Sequence, residues 1–120
     1  MNKLKAVFSV VIAALLISSL SSCAPAKLDV SDVSAIIDIR TADEFAAGHI
    51  VGAINNDYSI GDFIANATSL NRSGKYYVYG KNESDVAKAL DDMFGMGFVN
   101  VTNIGSYEDA QRLLPLGVTK

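Results

Sequence analysis

The sequence predicts an α/β fold: a small parallel β-sheet of about four to five strands with helices on both faces. Short runs of β-branched and aromatic residues alternate along the chain with segments of helical periodicity, which is typical of parallel βαβ units. The chain has 120 residues, of which 50% are hydrophobic. That composition supports one packed domain and excludes multidomain, collagen-like and disordered classes.

The first half of the predicted domain contains two strands and two helices, preceded by a short edge strand at Leu28–Val30. Ile36–Ile39 has the pattern of a strand buried on both faces. Thr41, with Glu44 three residues later, predicts a capping box that opens a short helix, and Gly48 is expected to end that helix. The next predicted elements are a strand at Val51–Asn55 and an amphipathic helix with its apolar stripe at Ile60, Phe63, Ile64 and Ala67.

The second half begins with Tyr76–Tyr79, the strongest strand signal in the chain, which Gly80 is expected to stop. The following helix has Ser84 as its predicted N-cap and Asp85 in its first turn, where a negative charge suits the helix dipole. The apolar positions of that helix are Val86, Ala87, Leu90, Met93 and Phe94. The remaining predicted elements are a strand at Val99–Val101 and a helix from Ser106 to Leu114.

Residues 1–22 have the pattern of an export signal, with two lysines, an apolar run from Ala6 to Ile17 and a stretch rich in serine. The run is shorter than the roughly 20 residues that a spanning helix needs. Leu20–Cys23 resembles the bacterial lipobox, which implies that Cys23 becomes the lipid-modified first residue. The expected organisation is a lipoprotein signal peptide at 1–22, lipidated Cys23 with a short tether at 23–33, and a domain at 34–120. An ordinary thiol beside a signal-peptidase site is the alternative.

Lipidated Cys23 predicts that the membrane is a partner of the mature protein. Ala24 does not resemble the acidic signal for inner-membrane retention, so the periplasmic face of the outer membrane is favoured in a Gram-negative host. The formal charge of −3 argues against nucleic-acid binding. The only histidine, His49, and the only cysteine cannot by themselves form a zinc site. No metal or other cofactor is expected.

The segment from Ile37 to Asn55 resembles the signature of the rhodanese-like domain family, in its small exported form of the phage shock protein E type. The shared features are an apolar-Asp-apolar-Arg strand, an acidic short helix and a Gly-His-Ile-x-Gly-Ala turn in which Val51 replaces the usual proline. The resemblance covers about residues 36–110. The matching signature residues are Asp38, Arg40, Glu44, Gly48, His49 and Gly52.

The resemblance implies a fold whose active members transfer sulfur through a cysteine at the end of the strand that matches Tyr76–Tyr79. Gly80 stands at the position of that cysteine, and no catalytic residue is therefore expected. The usual loop arginine is also missing, whether the loop is aligned without a gap or as two residues shorter. Two carboxylates stand in the loop where an anion would arrive. The equivalents of the active-site loop are Gly80, Lys81, Asn82, Glu83, Ser84 and Asp85.

Three functions follow as hypotheses. The first is an envelope lipoprotein whose rhodanese-like domain is inactive and binds another molecule, with an envelope protein as a partner. The second is an active thiosulfate sulfurtransferase. The third is binding of a small ion or anion at the loop of residues 80–85, either by Lys81 with Asn82 or by the two carboxylates.

Most of the signature residues have a structural interpretation. Asp38 and Arg40 are two positions apart on one strand face, and we expect an ion-paired scaffold because buried charges persist mainly when they are paired. The capping role accounts for Glu44. His49 is expected to make a structural hydrogen bond in a turn. Gly80 is expected to supply freedom in φ between strand and helix.

Overall fold

The computed structural model describes residues 26–120. The strands are β1 Ala35–Asp38, β2 His49–Ile50, β3 Ile54–Asn55, β4 Lys75–Gly80, β5 Asn100–Ser106 and β6 Val118–Thr119. The main sheet is parallel and has four strands in the order β3-β1-β4-β5, and a second, two-stranded antiparallel sheet pairs β2 with β6. The helices are α1 Ala42–Ala47, α2 Phe63–Ala67, α3 Glu83–Gly95 and α4 Tyr107–Leu113, with a 3-10 turn at Tyr58–Ile60.

The predicted α/β class is confirmed, because hydrophobic cores lie on both faces of the parallel sheet. Successive residues of a strand point to opposite faces. In β4, Tyr76 and Val78 pack with residues of α2 and α3, whereas Tyr77 and Tyr79 pack with residues of α4. The sheet is therefore covered on both sides, as parallel sheets require.

The predicted helix with a stripe at Ile60, Phe63, Ile64 and Ala67 is wrong in its first turn. Ile60 belongs to the 3-10 turn and is 63% exposed, and Ile64 is 49% exposed. Gly61 follows that turn at a φ of +84°, in the left-handed region, which interrupts helical geometry. The helix starts only at Phe63, and within it Phe63 and Ala67 are buried.

The predicted strand at Val51–Asn55 is shortened by a turn at its start. Val51 and Gly52 form that turn, with Gly52 at a φ of +83°, and only Ile54–Asn55 pairs with β1. The predicted edge strand at Leu28–Val30 is absent: the Leu28 N–H donates to the Leu113 carbonyl at 2.8 Å, and the side chains pack on the α4 side of the sheet. In contrast, β5 extends well beyond the predicted Val99–Val101.

Helix α3 begins at Glu83, so its N-cap is Asn82 and not Ser84. The Asn82 Oδ1 accepts the Asp85 N–H at 2.8 Å. Phe94 is 50% exposed, and Ala89 takes its place in the core. The shift follows from the short connection, because only Lys81 and Asn82 separate β4 from α3.

No helix within residues 26–120 is long and apolar enough to span a bilayer. The predicted signal peptide and Cys23 lie outside the described residues.

Candidate functional site

A cleft of about 340 Å³ opens at the carboxyl ends of β1 and β4. Ligands of parallel α/β sheets bind at this edge. Its walls come from the start of α1, the turn after β3 and the first turns of α3. The lining residues are Ile39, Arg40, Thr41, Glu44, Asp57, Tyr58, Ser59, Lys81, Asp85 and Lys88.

An ion pair between Asp38 and Arg40 lies beneath the cleft. Asp38 is fully buried and Arg40 is 9% exposed. The Arg40 Nη2 donates to Asp38 Oδ2 at 2.8 Å and to the Gly48 carbonyl at 2.7 Å, while Nε donates to Asp38 Oδ1 at 3.1 Å. The guanidinium also lies 4.1 Å from the ring centre of Tyr107. Burial acts to lower the pKa of Arg40, but the hydrogen bonds and charge of Asp38 raise it on balance.

This pair connects the end of β1 to the residue after α1. Every buried side-chain nitrogen and oxygen within residues 26–120 has a hydrogen-bond partner. Since the Arg40 charge is already neutralised by Asp38, we assign Arg40 a scaffold role in the cleft floor.

Gly80, the last residue of β4, is buried against the cleft floor. A β-carbon at this position would lie 2.8 Å from Cγ1 of Ile39 and 3.1 Å from Cγ2 of Val86. Gly80 is not among the glycines with positive φ, so the expectation that it supplies freedom in φ is wrong. A side chain at this position would displace the side chain of Ile39.

Of the six loop equivalents predicted from the sequence, two line the cleft. Lys81 and Asp85 line the cleft, together with Lys88 from the next turn of α3. Glu83 and Ser84 are exposed and are not part of the lining. Asn82 caps α3, so its side-chain oxygen already accepts the hydrogen bond of the Asp85 N–H. The helix N-terminus thus has an internal acceptor and two acidic residues in its first turn.

The remaining signature residues hold the wall formed by α1. The Thr41 Oγ1 accepts the Glu44 N–H at 3.2 Å, as predicted. The reciprocal half of the capping box is absent, because Glu44 Oε1 accepts the Thr41 hydroxyl at 3.0 Å instead of a backbone N–H. Gly48 ends α1, as predicted, with its N–H donating to the Phe45 carbonyl at 3.2 Å.

His49 and Gly52 lie outside the cleft lining. The His49 Nδ1 is 2.8 Å from the Phe45 carbonyl oxygen, and the imidazole stacks on the Phe45 ring with a centroid distance of 3.6 Å. Gly52 lies in the turn between β2 and β3. Both residues therefore stabilise the local backbone.

The sequence predictions did not include the turn after β3. Asp57 Oδ1 accepts the Ser59 N–H at 2.8 Å and its hydroxyl at 2.6 Å. The Tyr58 hydroxyl donates to Asp92 Oδ2 at 2.7 Å, and this hydrogen bond raises the pKa of Tyr58. The missed signal was positional: the turn directly follows the carboxyl end of a parallel strand.

Charges of both signs surround the cleft. The carboxylates accept hydrogen bonds from the protein, whereas the ammonium groups have no hydrogen-bond partner in the described part of the chain. Glu44, Asp57 and Asp85 each accept a hydrogen bond from a neighbouring residue. Lys81 and Lys88 make no side-chain hydrogen bond or ion pair with any of residues 26–120. No group of three or more His, Cys, Asp or Glu residues within the described range could hold a metal ion.

Comparison with known proteins agrees with this architecture. The thiosulfate sulfurtransferase GlpE of Pseudomonas entomophila is 41% identical over 75 residues, which are 61% of this chain and 66% of that protein. GlpE of Pseudomonas putida strain F1 is 40% identical over the same shares of the two chains. The matched segment thus spans just under two thirds of these relatives.

The fold is also that of solved rhodanese structures. The rhodanese-like domain of the Alr3790 protein from Anabaena sp. superposes with a TM-score of 0.65 and 25% identity, covering 75% of this chain and 90% of that one. An Escherichia coli rhodanese solved with anions shares the fold, with a TM-score of 0.58 and 24% identity over 72% of this chain and 96% of that one. The sequence of residues 23–112 matches the family model of the rhodanese-like domain. The chain belongs to the rhodanese-like domain family.

Proposed function

We propose that this protein is an exported, lipid-anchored rhodanese-like module that binds a partner at its cleft and does not transfer sulfur. The observation that carries the proposal is the packing at Gly80. The family resemblance puts the sulfur-carrying cysteine at this position, where the space next to the α-carbon is filled by Ile39 and Val86.

Sulfur transfer through an enzyme persulfide needs a nucleophilic sulfur atom. The only cysteine of the 120-residue chain is Cys23, far from Gly80 in sequence. Lipidation at the lipobox consumes that sulfur in a thioether. No thiol then remains on the mature chain to accept sulfur from a donor.

The loop geometry supports binding of something other than a small anion. Helix N-termini attract anions when their N–H groups are free, but here Asn82 occupies the Asp85 N–H and the first turn carries Glu83 and Asp85. Binding of a small anion at residues 80–85 would depend on Lys81. The exposed carboxylates of Asp43 and Glu83, in the first turns beside the cleft, instead complement a basic segment of an envelope protein.

Active sulfurtransfer is the rival function, and the identity to the GlpE proteins favours it. The test is thiocyanate production from thiosulfate and cyanide by the purified protein, with an active rhodanese assayed in parallel. We expect no product above the enzyme-free background. Turnover that disappears in the Cys23→Ser variant, or that changes in the Gly80→Ala variant, would overturn the proposal of inactivity.

The anchor is tested separately with a fatty-acid probe in cells. The wild-type chain is expected to incorporate the probe and to lose residues 1–22. Cys23→Ser is expected to remain an unacylated precursor. Equal labelling of the two chains would contradict lipidation at Cys23.

A further inference from the structure

Charged residues are distributed unevenly between the two edges of the parallel sheet. Around the amino ends of the strands lie three cations, Lys27, Arg72 and Lys75, and two carboxylates, Asp29 and Asp32. The Arg112 backbone also lies there, but its guanidinium pairs with Asp109 in the first turn of α4. Around the carboxyl ends, the first turns of α1, α3 and α4 and the segment after β3 carry eight carboxylates, against the two ammonium groups of the cleft. The domain is therefore weakly positive at one edge and strongly negative at the other.

The chain enters the domain at the positive edge. The Lys27 Nζ donates to the Arg112 carbonyl at 2.6 Å, and the Leu28 N–H donates to the carbonyl of Leu113 at the end of α4. An extended chain spans at most about 3.6 Å per residue, so the segment between Cys23 and Leu28 can reach at most roughly 18 Å. A lipid on Cys23 would hold this edge close to the bilayer.

The same edge exposes apolar side chains. A shallow groove of about 250 Å³ is lined by Val30, Val33, Val51 and Leu116, among others. Val51 is 45% exposed, and Val118 on the neighbouring strand β6 is 53% exposed. Apolar side chains beside cations suit the boundary between lipid headgroups and acyl chains.

We propose that the amino edge of the sheet lies on an anionic phospholipid surface, so that the cleft faces the aqueous space. This inference rests on lipidation of Cys23 in the proposed function. The six residues of β4 separate the two edges by roughly 17 Å. The cleft therefore receives a water-borne partner, and its acidic rim is kept away from the anionic lipid.

Fluorescence quenching tests this orientation on the full acylated chain. The protein is reconstituted in phosphatidylcholine vesicles containing about one quarter phosphatidylglycerol, with nitroxide-labelled headgroups. Three single variants are labelled separately: Val51→Cys and Val118→Cys each place a thiol at the amino edge, and Ser84→Cys places one at the cleft edge. The introduced thiol is the only one in each variant, because the sulfur of acylated Cys23 is not a free thiol. A fluorophore on residue 51 or 118 is expected to be quenched at least about threefold more than one on residue 84.

Charge reversal supplies a second measurement. Lys27→Glu with Lys75→Glu is expected to reduce quenching at residue 51 by about half in the anionic vesicles. The matched control, Lys81→Glu with Lys88→Glu, is expected to leave it unchanged.

The outcomes separate the two proposals. Equal quenching at both edges of an acylated protein, or stronger quenching at residue 84, would overturn the orientation and leave the anchor intact. Failure to detect the fatty acid on Cys23 would overturn the anchor and this inference with it.

Discussion

A β-carbon on Gly80 would lie 2.8 Å from Cγ1 of Ile39, closer than carbon atoms approach in a packed core. The Ile39 backbone is fixed, because its N–H donates to the Tyr79 carbonyl at 3.0 Å. Only the Ile39 side chain can move aside, and that side chain also lines the cleft. Restoring a side chain at Gly80 therefore disturbs both the core and the cleft.

Gly80→Ala is expected to lower the free energy of unfolding by about 1–3 kcal/mol, the usual cost of overpacking a core. Urea denaturation measures the change. The matched control is Gly95→Ala at the end of α3, where no atom lies within 4 Å of the new β-carbon, and where alanine is expected to be neutral or to stabilise by up to about 1 kcal/mol. In the Ile39→Ala background the cost of Gly80→Ala is expected to fall, and an unchanged cost would contradict a clash with Ile39.

Gly80→Cys alone is expected to give little thiosulfate-to-cyanide sulfur transfer. The new side chain is crowded by Ile39, and Asp85 opposes an incoming anion at the cleft. Adding Ile39→Ala and Asp85→Asn is expected to raise turnover above that of Gly80→Cys, as measured by thiocyanate formation. Efficient turnover by the single variant would show that neither packing nor charge at this loop prevents sulfur transfer.

Asn82→Ala is expected to lower the free energy of unfolding by about 1 kcal/mol, because it removes the N-cap of α3. Ser84→Ala, the control, is expected to change it by less than about 0.5 kcal/mol, because Ser84 is exposed and is not the cap. Urea denaturation of both variants decides between the two residues. A larger loss of unfolding free energy for Ser84→Ala than for Asn82→Ala would show that Ser84 is the N-cap, as predicted from the sequence.

Arg40→Ala is expected to cost about 3–5 kcal/mol, because it leaves the fully buried Asp38 carboxylate without its partner. The exposed pair of Arg112 with Asp109 is the control, and Arg112→Ala is expected to cost less than about 1 kcal/mol. Thermal or urea unfolding compares the two. A cost below about 1 kcal/mol for Arg40→Ala would contradict its scaffold role.

The fold class could be predicted because the strong signals are local. The run of three aromatic residues and one β-branched residue at Tyr76–Tyr79 strongly favours a strand, and Thr41 caps its helix through its own side chain. Predictions failed where backbone geometry outweighed periodicity. The stripe through Ile60 and Ile64 has the right spacing for a helix, but the left-handed conformation of Gly61 separates Ile60 from it.

The cleft could be predicted only in part for a related reason. Loop residues such as Lys81 and Asp85 follow a strand that is obvious in the sequence. Asp57 and Tyr58 follow a strand of two residues, whose pairing with β1 is a long-range contact that short sequence patterns do not record. The crowding of Gly80 by Ile39 likewise joins two strands through tertiary packing.

The buried Tyr79 predicts a loss of stability in alkaline solution. Burial raises the pKa of Tyr79, so folding favours the protonated phenol. That contribution is fully present below the unfolded pKa of about 10 and is lost as the pH rises above it, by up to roughly 1.4 kcal/mol per pH unit. Tyr58 acts in the same direction, because its hydrogen bond to Asp92 raises its pKa.

Tyr79→Phe separates the pH-dependent effect from the loss of a hydrogen bond. At pH 7 the variant is expected to lose about 1–3 kcal/mol, because the buried Ile50 N–H loses the Tyr79 hydroxyl that accepts it at 3.1 Å. Above a pH of about 10 its unfolding free energy is expected to decline less steeply than that of the wild type. Urea denaturation across the pH range, with refolding at neutral pH as the check on reversibility, measures both effects, and parallel alkaline slopes for the two proteins would show that Tyr79 does not control this transition.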